Sequence, residues 1–204
     1  MKIIYSEAHR GYGGAMELRG ADWVPMAECP ERMTVILKAL AEAGLRDVQA
    51  PVSHGLEAAL QVHDPDIVGF LERAYPMWEQ CHGPGGAAFA NMFGMRNLAQ
   101  KPNLSSIDAM LSAYTFDVYS PFVKGTWEAI SSAYDVTMTG TGLMQSGEAG
   151  VFSLCRPPGH HAARDMAGGY CYLNNAAVVG AALQFEAAAP GLFLPGSGLP
   201  GFAA

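Results

Sequence analysis

Short β-type apolar runs alternate with helix-period segments in this chain, and this alternation most constrains its fold. The strand-type runs lie at 2–6, 47–53 and 149–156. Segments with apolar residues at helical spacing lie at 30–44, 55–80, 107–116 and 122–138. Strands that alternate with helices favour an α/β domain built on a mostly parallel sheet.

Three segments do not follow this alternation. The stretch 7–29 is glycine-rich and is predicted to be irregular. Residues 81–106 are rich in Gly, Pro and Asn and predict a long loop of the kind that is usually functional. After Gln184, Pro-Gly pairs recur every five residues without strand or helix periodicity. We therefore expect a folded part at 1–184 and a Pro/Gly-rich tail, foreign to the fold, at 185–204.

Charge and cysteine content narrow the possible partners. A net charge of −7 argues against nucleic acid and suits a cationic substrate. The four cysteines form no C-x-x-C pair, and the N-terminus does not resemble a signal peptide, so we expect free thiols in a cytoplasmic protein. Two long uncharged stretches are interrupted by Asn, Gly and Pro, and we expect no membrane partner.

The two adjacent histidines, His160 and His161, follow the apolar run at 149–156 and a Pro-Pro-Gly turn. Chemistry in a parallel sheet takes place beyond the carboxyl ends of the strands. One charged and one neutral imidazole in a shared site suit acid and base roles. We interpret the pair as proton-transfer groups, with metal ligation and plain packing as the alternatives.

Nearby residues suggest further possibilities. Cys155 and Cys171 flank the histidines, which leaves an unrelated Cys-His hydrolase as an alternative hypothesis. Gly169, in a glycine pair, would let the backbone approach a ligand closely, or would form an ordinary turn. Asn174 and Asn175 precede a small-residue segment, and we expect at least one of them to cap a helix.

The motif CRPPGHHA at 155–162, followed by GGYCYLNNAAV at 168–178, resembles the tandem-histidine region of the zinc-dependent deacetylase superfamily. That superfamily includes histone deacetylases, acetoin-utilisation proteins and acetylpolyamine amidohydrolases. The segments at 5–9, 17–20, 54–64 and 125–133 are most similar to the acetylpolyamine amidohydrolases. The resemblance covers about residues 1–184 and implies the arginase/deacetylase-like three-layer α/β fold.

The resemblance also implies a reaction, in which a zinc ion binds the acetamide oxygen and a water, and the amide is cleaved to acetate and free amine. His160 would be nearer the attacking water, and His161 would be its partner in proton transfer. Gly169 would offer its carbonyl to the acetamide N–H, and Tyr170 would wall the substrate tunnel.

Two acidic residues and a loop are implied in substrate selection and assembly. Glu17 and Asp108 match acidic positions near the tunnel mouth that attract a cationic amine, with ordinary surface carboxylates as the alternative. The 81–106 loop matches the region through which polyamine enzymes dimerise. A small acetylated amine, either an acetylpolyamine or acetyl-lysine, is the expected substrate, and the resemblance implies a homodimer for the intact family member.

One departure from the family pattern concerns the metal. The family places an Asp-x-His pair, a later Asp and a tyrosine further along, and none of the eight aspartates here starts an Asp-x-His. We therefore expect no metal ligands in this chain, a sheet incomplete at the C-terminus, and a truncated family member inactive alone. The alternative is a non-catalytic product acting as a binding or dimerising module.

Overall fold

The computed structural model describes residues 1–14, 16–93 and 104–187, and its strands and helices alternate along the chain. The strands are β1 (Lys2–Tyr5), β2 (Met16–Arg19), β3 (Asp22–Pro25), β4 (Val48–Gln49) and β5 (Val151–Leu154). The helices are α1 (Glu31–Glu42), α2 (Ala59–Val62), α3 (Pro65–His82), α4 (Ile107–Tyr114), α5 (Thr126–Gln145) and α6 (Asn175–Ala187), with a 3₁₀ helix at Glu7–Gly11.

The expected parallel sheet is confirmed, in the strand order β4-β1-β5. Ile3 of the central strand lies opposite Val48 of β4 and Phe152 of β5. Because all three strands run in one direction, their carboxyl ends share one edge of the sheet. The segment that follows β1 therefore meets the segment that follows β5, which carries the two histidines.

Helices cover both faces of this sheet and produce three layers. Successive strand residues point to opposite faces. Ile3, Tyr5 and Leu154 pack against Met33 of α1 on one face. On the other face α5 lies so close that a Cβ on Gly140 would fall 2.2 Å from Ser153 Oγ. The larger core, formed mainly by α2 to α6, extends from this second face.

The expectation of an irregular stretch at 7–29 was wrong. Residues 16–25 form an antiparallel hairpin, with Arg19 opposite Asp22 across a two-residue turn. The turn needs a left-handed residue, which Gly20 supplies at φ +65°. The alternation of Met16, Glu17, Leu18 and Arg19 was the local signal for a strand, and the surrounding glycines masked it.

The predicted tail at 185–204 lies largely outside the described residues, which end at 187. Helix α6 includes the first three residues of that range. Asn174 caps this helix as expected, since its Oδ1 accepts from the N–H of Ala177 at 3.1 Å. The central part of the predicted 81–106 loop also lies outside the described residues. Among the helices of the described ranges, none is both long and apolar enough to cross a membrane.

Candidate active site

A cleft of about 500 Å³ opens where the segments after β3 and β5 meet the segment after α4. The residues that line it are Ala27, Glu28, Arg32, Tyr119, Pro158, His160, His161, Gly169 and Tyr170. Four of the six residues singled out from the sequence are therefore in one place: both histidines, Gly169 and Tyr170.

His160 and His161 stand side by side with exposed rings. Their ring centroids are 4.2 Å apart and the ring planes are inclined by 51°. Gly159, just before them, packs directly on the start of α6, because a Cβ there would fall 2.3 Å from the carbonyl oxygen of Leu173. The glycine of the Pro-Pro-Gly turn is thus required by a close backbone approach, which holds both histidines at the strand end.

The wall opposite His161 is a strained loop at 168–171. Gly169 and Tyr170 both have left-handed backbones, with φ +57° and +66°. A Cβ on Gly169 would lie 2.6 Å from Cδ2 of His161, so only glycine leaves room for the imidazole. A non-glycine residue in this conformation is uncommon and points to a position held by its surroundings.

Asp117 holds this loop in place, and the sequence reasoning missed it. Its Oδ2 accepts from the N–H of Gly169 at 2.7 Å, and its Oδ1 accepts from the N–H of Tyr119 at 2.9 Å. Tyr119 in turn packs edge-on against Tyr170, with ring centroids 6.0 Å apart. The Asp117 carboxylate therefore links the backbone of the Gly169–Tyr170 loop to the backbone of Tyr119, and both tyrosines line the cleft.

Glu17 lies behind Tyr170 and is buried, with 3 % of its surface exposed. Its carboxylate accepts from Tyr170 Oη at 2.5 Å, from the N–H of Ala27 at 3.1 Å and from Arg19 at 2.7 Å. Burial alone would raise the pKa of Glu17, but these hydrogen bonds outweigh it and lower the pKa. Burial and the neighbouring Glu17 carboxylate raise the pKa of Tyr170 to about 12.

Asp108 does not line the cleft. It lies in the first turn of α4, about half exposed, with its Oδ1 3.3 Å from Nε2 of His82. Its implied role in attracting a cationic amine stays a prediction.

Arg156 is the largest site feature that sequence reasoning missed. The side chain is 1 % exposed and fixes the residues just after β5. Its Nε donates to Glu28 Oε1 at 2.7 Å, and one Nη donates to the carbonyls of His9 and Tyr12 at 2.8 and 2.6 Å. The available sequence signal was an arginine two positions after the apolar strand β5. A charge in such a buried position requires a partner, so it should be expected to hold other segments in place.

The environment of the cysteines argues against a thiol nucleophile. Burial raises the pKa of the Cys155 thiol, whose Sγ lies 3.7 Å from Thr137 Oγ1 on α5. Burial also raises the pKa of Cys171, whose thiol donates to the carbonyl of Gly169 at 3.3 Å. Reactive cysteines have lowered pKa values instead.

A metal site requires several ligating side chains close together. Within 1–14, 16–93 and 104–187, no three side chains of His, Cys, Asp or Glu form a group that could hold a metal ion. A catalytic zinc site takes three protein ligands. The described residues therefore do not fit the zinc ion that the resemblance implies.

Known proteins resemble the chain along most of its length. Residues 26–189 match the histone deacetylase domain family. An acetylpolyamine amidohydrolase of Mycoplana ramosa is 42% identical over 178 residues, which are 87% of this chain and 52% of that protein. Acetylpolyamine amidohydrolase 2 of Pseudomonas aeruginosa is 41% identical, over 87% of this chain and 51% of that protein.

A solved structure gives the same result for the fold. The acetylpolyamine aminohydrolase of Burkholderia pseudomallei superposes with a TM-score of 0.80 at 28% identity, covering 91% of this chain and 53% of that one. The chain spans about half the length of the curated relatives it matches. The matched range contains the tandem histidines and the glycine–tyrosine wall, and the chain belongs to the histone deacetylase domain family.

Proposed function

We propose that this chain supplies the acid–base groups and one substrate wall of an amidohydrolase site that removes acetyl groups from acetylated polyamines. The observation that carries the proposal is the pair of exposed imidazoles, 4.2 Å apart, facing the loop of Gly169 and Tyr170 in one cleft. Relatives with 37 to 42% identity are named for the hydrolysis of acetylpolyamines, which supports this substrate class.

Hydrolysis of an amide needs two proton movements, and the two histidines are placed to perform them. The attacking water must lose a proton, and the departing amine must gain one. His160 takes the proton from water, and His161 assists that transfer and delivers a proton to the nitrogen of the leaving amine. General acid–base catalysis by positioned side chains of this kind typically contributes about 10²–10⁴-fold in rate.

Gly169 and Tyr170 bind the substrate in this proposal. The Gly169 carbonyl meets the Cys171 thiol on one side and has a second lone pair for the acetamide N–H. The ring of Tyr170 forms an apolar wall for the aminoalkyl chain. Glu17 provides negative charge behind that wall, partly offset by Arg19, and so favours a cationic amine.

The reaction requires a complete site, and this chain covers about half of the relatives' length. No step through zinc is assigned to the described residues, because they do not form a metal-binding group. We propose that the chain alone is inactive and that the reaction depends on the half of the domain that it does not match.

The test uses a fused protein, in which residues 1–187 are joined to the unmatched half of the Mycoplana ramosa relative. We expect it to deacetylate an acetylated diamine, and His160→Ala and His161→Ala each to lower kcat about 10²-fold or more. His54→Ala is the matched control, since its ring contacts Thr139 on α5 and does not line the cleft. Alanine variants that remain folded and fully active would show that the histidines only pack.

A further inference from the structure

His63 is a fully buried histidine between helices α2 and α3, and it does not line the cleft. Its Nδ1 lies 2.9 Å from the carbonyl oxygen of Ala163, and its Nε2 lies 2.9 Å from the backbone nitrogen of Asn174. A carbonyl oxygen can only accept, and a backbone N–H can only donate. The ring is therefore neutral: its Nδ1–H donates to Ala163, and its Nε2 lone pair accepts from Asn174.

Both partners of His63 belong to the backbone around the tandem histidines. Ala163 comes two residues after His161, and Asn174 caps helix α6. Gly159, just before the pair, packs on the same start of α6, because a Cβ there would fall 3.1 Å from Cα of Asn174. The segment that carries both histidines is therefore anchored at both ends, at Gly159 by packing and at Ala163 through the His63 ring.

The residue after His63 makes a second connection to the same segment. The N–H of Asp64 donates to the carbonyl of Arg164 at 2.9 Å, and Arg164 Nε donates to Asp64 Oδ1 at 2.6 Å. The Arg164 side chain is 69% exposed, so this ion pair contributes little. The buried ring of His63 is the stronger restraint, because water has no access to take its place.

Burial keeps the His63 ring in the form that both hydrogen bonds require. It lowers the pKa of His63, and this effect outweighs the hydrogen bonds to the carbonyls of Ala163 and Arg164, which raise the pKa. The Asp64 charge raises the pKa of His63 and the Arg164 charge lowers it, so these two charges oppose each other. A protonated ring would place an Nε2–H against the N–H of Asn174, and the link to α6 would be lost.

We propose that His63 is a positioning residue for the tandem histidines, whose orientation it sets through its two backbone hydrogen bonds. The proposal rests on the acid–base role proposed above for His160 and His161. Misplacement of a reacting group by about 1 Å can cost about 10²-fold in rate. Loss of the His63 hydrogen bonds should therefore slow proton transfer. Substrate binding should be retained, because Gly169 and Tyr170 lie on a separate loop.

Two substitutions separate the hydrogen bonds of the ring from its bulk. His63→Leu fills similar space and makes neither hydrogen bond, whereas His63→Asn keeps a donor near the Nδ1 position for Ala163. In NMR spectra of chain 1–204, His63→Leu should shift the ring signals of His160 and His161, and His63→Asn should leave them close to their wild-type positions. Ile130→Val is the matched control, since Ile130 is 1% exposed on α5. It should lower the urea midpoint without shifting those signals.

The fused protein, made of residues 1–187 and the unmatched half of the Mycoplana ramosa relative, gives a second readout. His63→Leu should lower its kcat about tenfold or more and leave KM nearly unchanged, and His63→Asn should recover most of the loss. If the fused protein has no deacetylase activity, the proposed function fails, and the ring signals of chain 1–204 still decide the role of His63.

The proposal is overturned if His63→Leu lowers the urea midpoint while the ring signals of His160 and His161 keep their wild-type positions, because His63 then only packs. It is also overturned if Ile130→Val lowers kcat as much as His63→Leu does. Where His63→Leu does not fold, His63→Gln replaces it, since its side-chain oxygen can accept from Asn174 and it has no donor at the Nδ1 position. His63→Gln should shift the ring signals more than His63→Asn, and equal positions of the signals in these two variants also overturn the proposal.

Discussion

Acidification should destabilise this protein through one buried histidine, His9. The ring lies between Tyr5, whose Oη is 2.8 Å from Nε2, and Arg156, whose Nη is 3.4 Å from Nδ1. When the ring is neutral and carries its proton on Nε2, that N–H donates to Tyr5 Oη, and Nδ1 is free to accept from Arg156. Burial and, after it, the Arg156 charge lower the pKa of His9 from 6.5 to about 4.

The sign and size of the effect follow from linkage. The folded state holds His9 neutral, while the unfolded chain takes up a proton below pH 6.5, so the unfolded state binds more protons in this range. The contribution of neutral His9 to the free energy of unfolding is complete above pH 6.5. It is lost as the pH falls from 6.5 through about 4. One pKa unit corresponds to about 1.4 kcal/mol, so the free energy of unfolding should fall by about 2 kcal/mol at pH 5 and about 3 kcal/mol at pH 4.

Urea denaturation of the chain and of His9→Gln, measured from pH 7 to pH 4, provides the test. Buried His63 also has a lowered pKa and acts in the same direction, so the difference between the two proteins isolates His9. His82→Gln, at a half-exposed side chain on α3, is the control for replacing a histidine outside the core. If His9→Gln loses stability with falling pH as steeply as the wild type, the argument from burial is refuted.

Three further outcomes are expected. Arg156→Met should cost about 3–5 kcal/mol in urea denaturation, since it leaves the buried Glu28 carboxylate without its main partner, and Glu28→Gln in addition should recover part of the loss. Gly169→Ala should cost about 1 kcal/mol or more, because φ is +57°, and should shift the NMR signals of His161, against which the new Cβ would press; unchanged His161 signals would contradict this contact. Chain 1–204 should retain well below one equivalent of zinc after dialysis, and tight stoichiometric zinc in a metal assay would reveal ligands outside the described residues.

The sequence determined the features that depend on near neighbours in the chain. Alternating β-type runs and helical spacing indicated an α/β domain with a mostly parallel sheet, because side-chain periods of 2 and 3.6 distinguish strands from helices. The same local pattern placed His160 and His161 just after β5, at the sheet edge where chemistry takes place. The hairpin at 16–25 was missed because surrounding glycines obscured a four-residue alternation.

Contacts between distant residues were decided by the tertiary structure alone. Arg156 meets Glu28 across 128 positions, and Tyr170 meets Glu17 across 153. Asp117, 52 positions from Gly169, holds the wall of the cleft. Such pairs leave no periodic trace, because they depend on how the loops after separate strands converge. The burial of α6 is of the same kind: composition shows that the helix is apolar, and only the fold shows that Val178 is buried while Leu183 is exposed within the described residues.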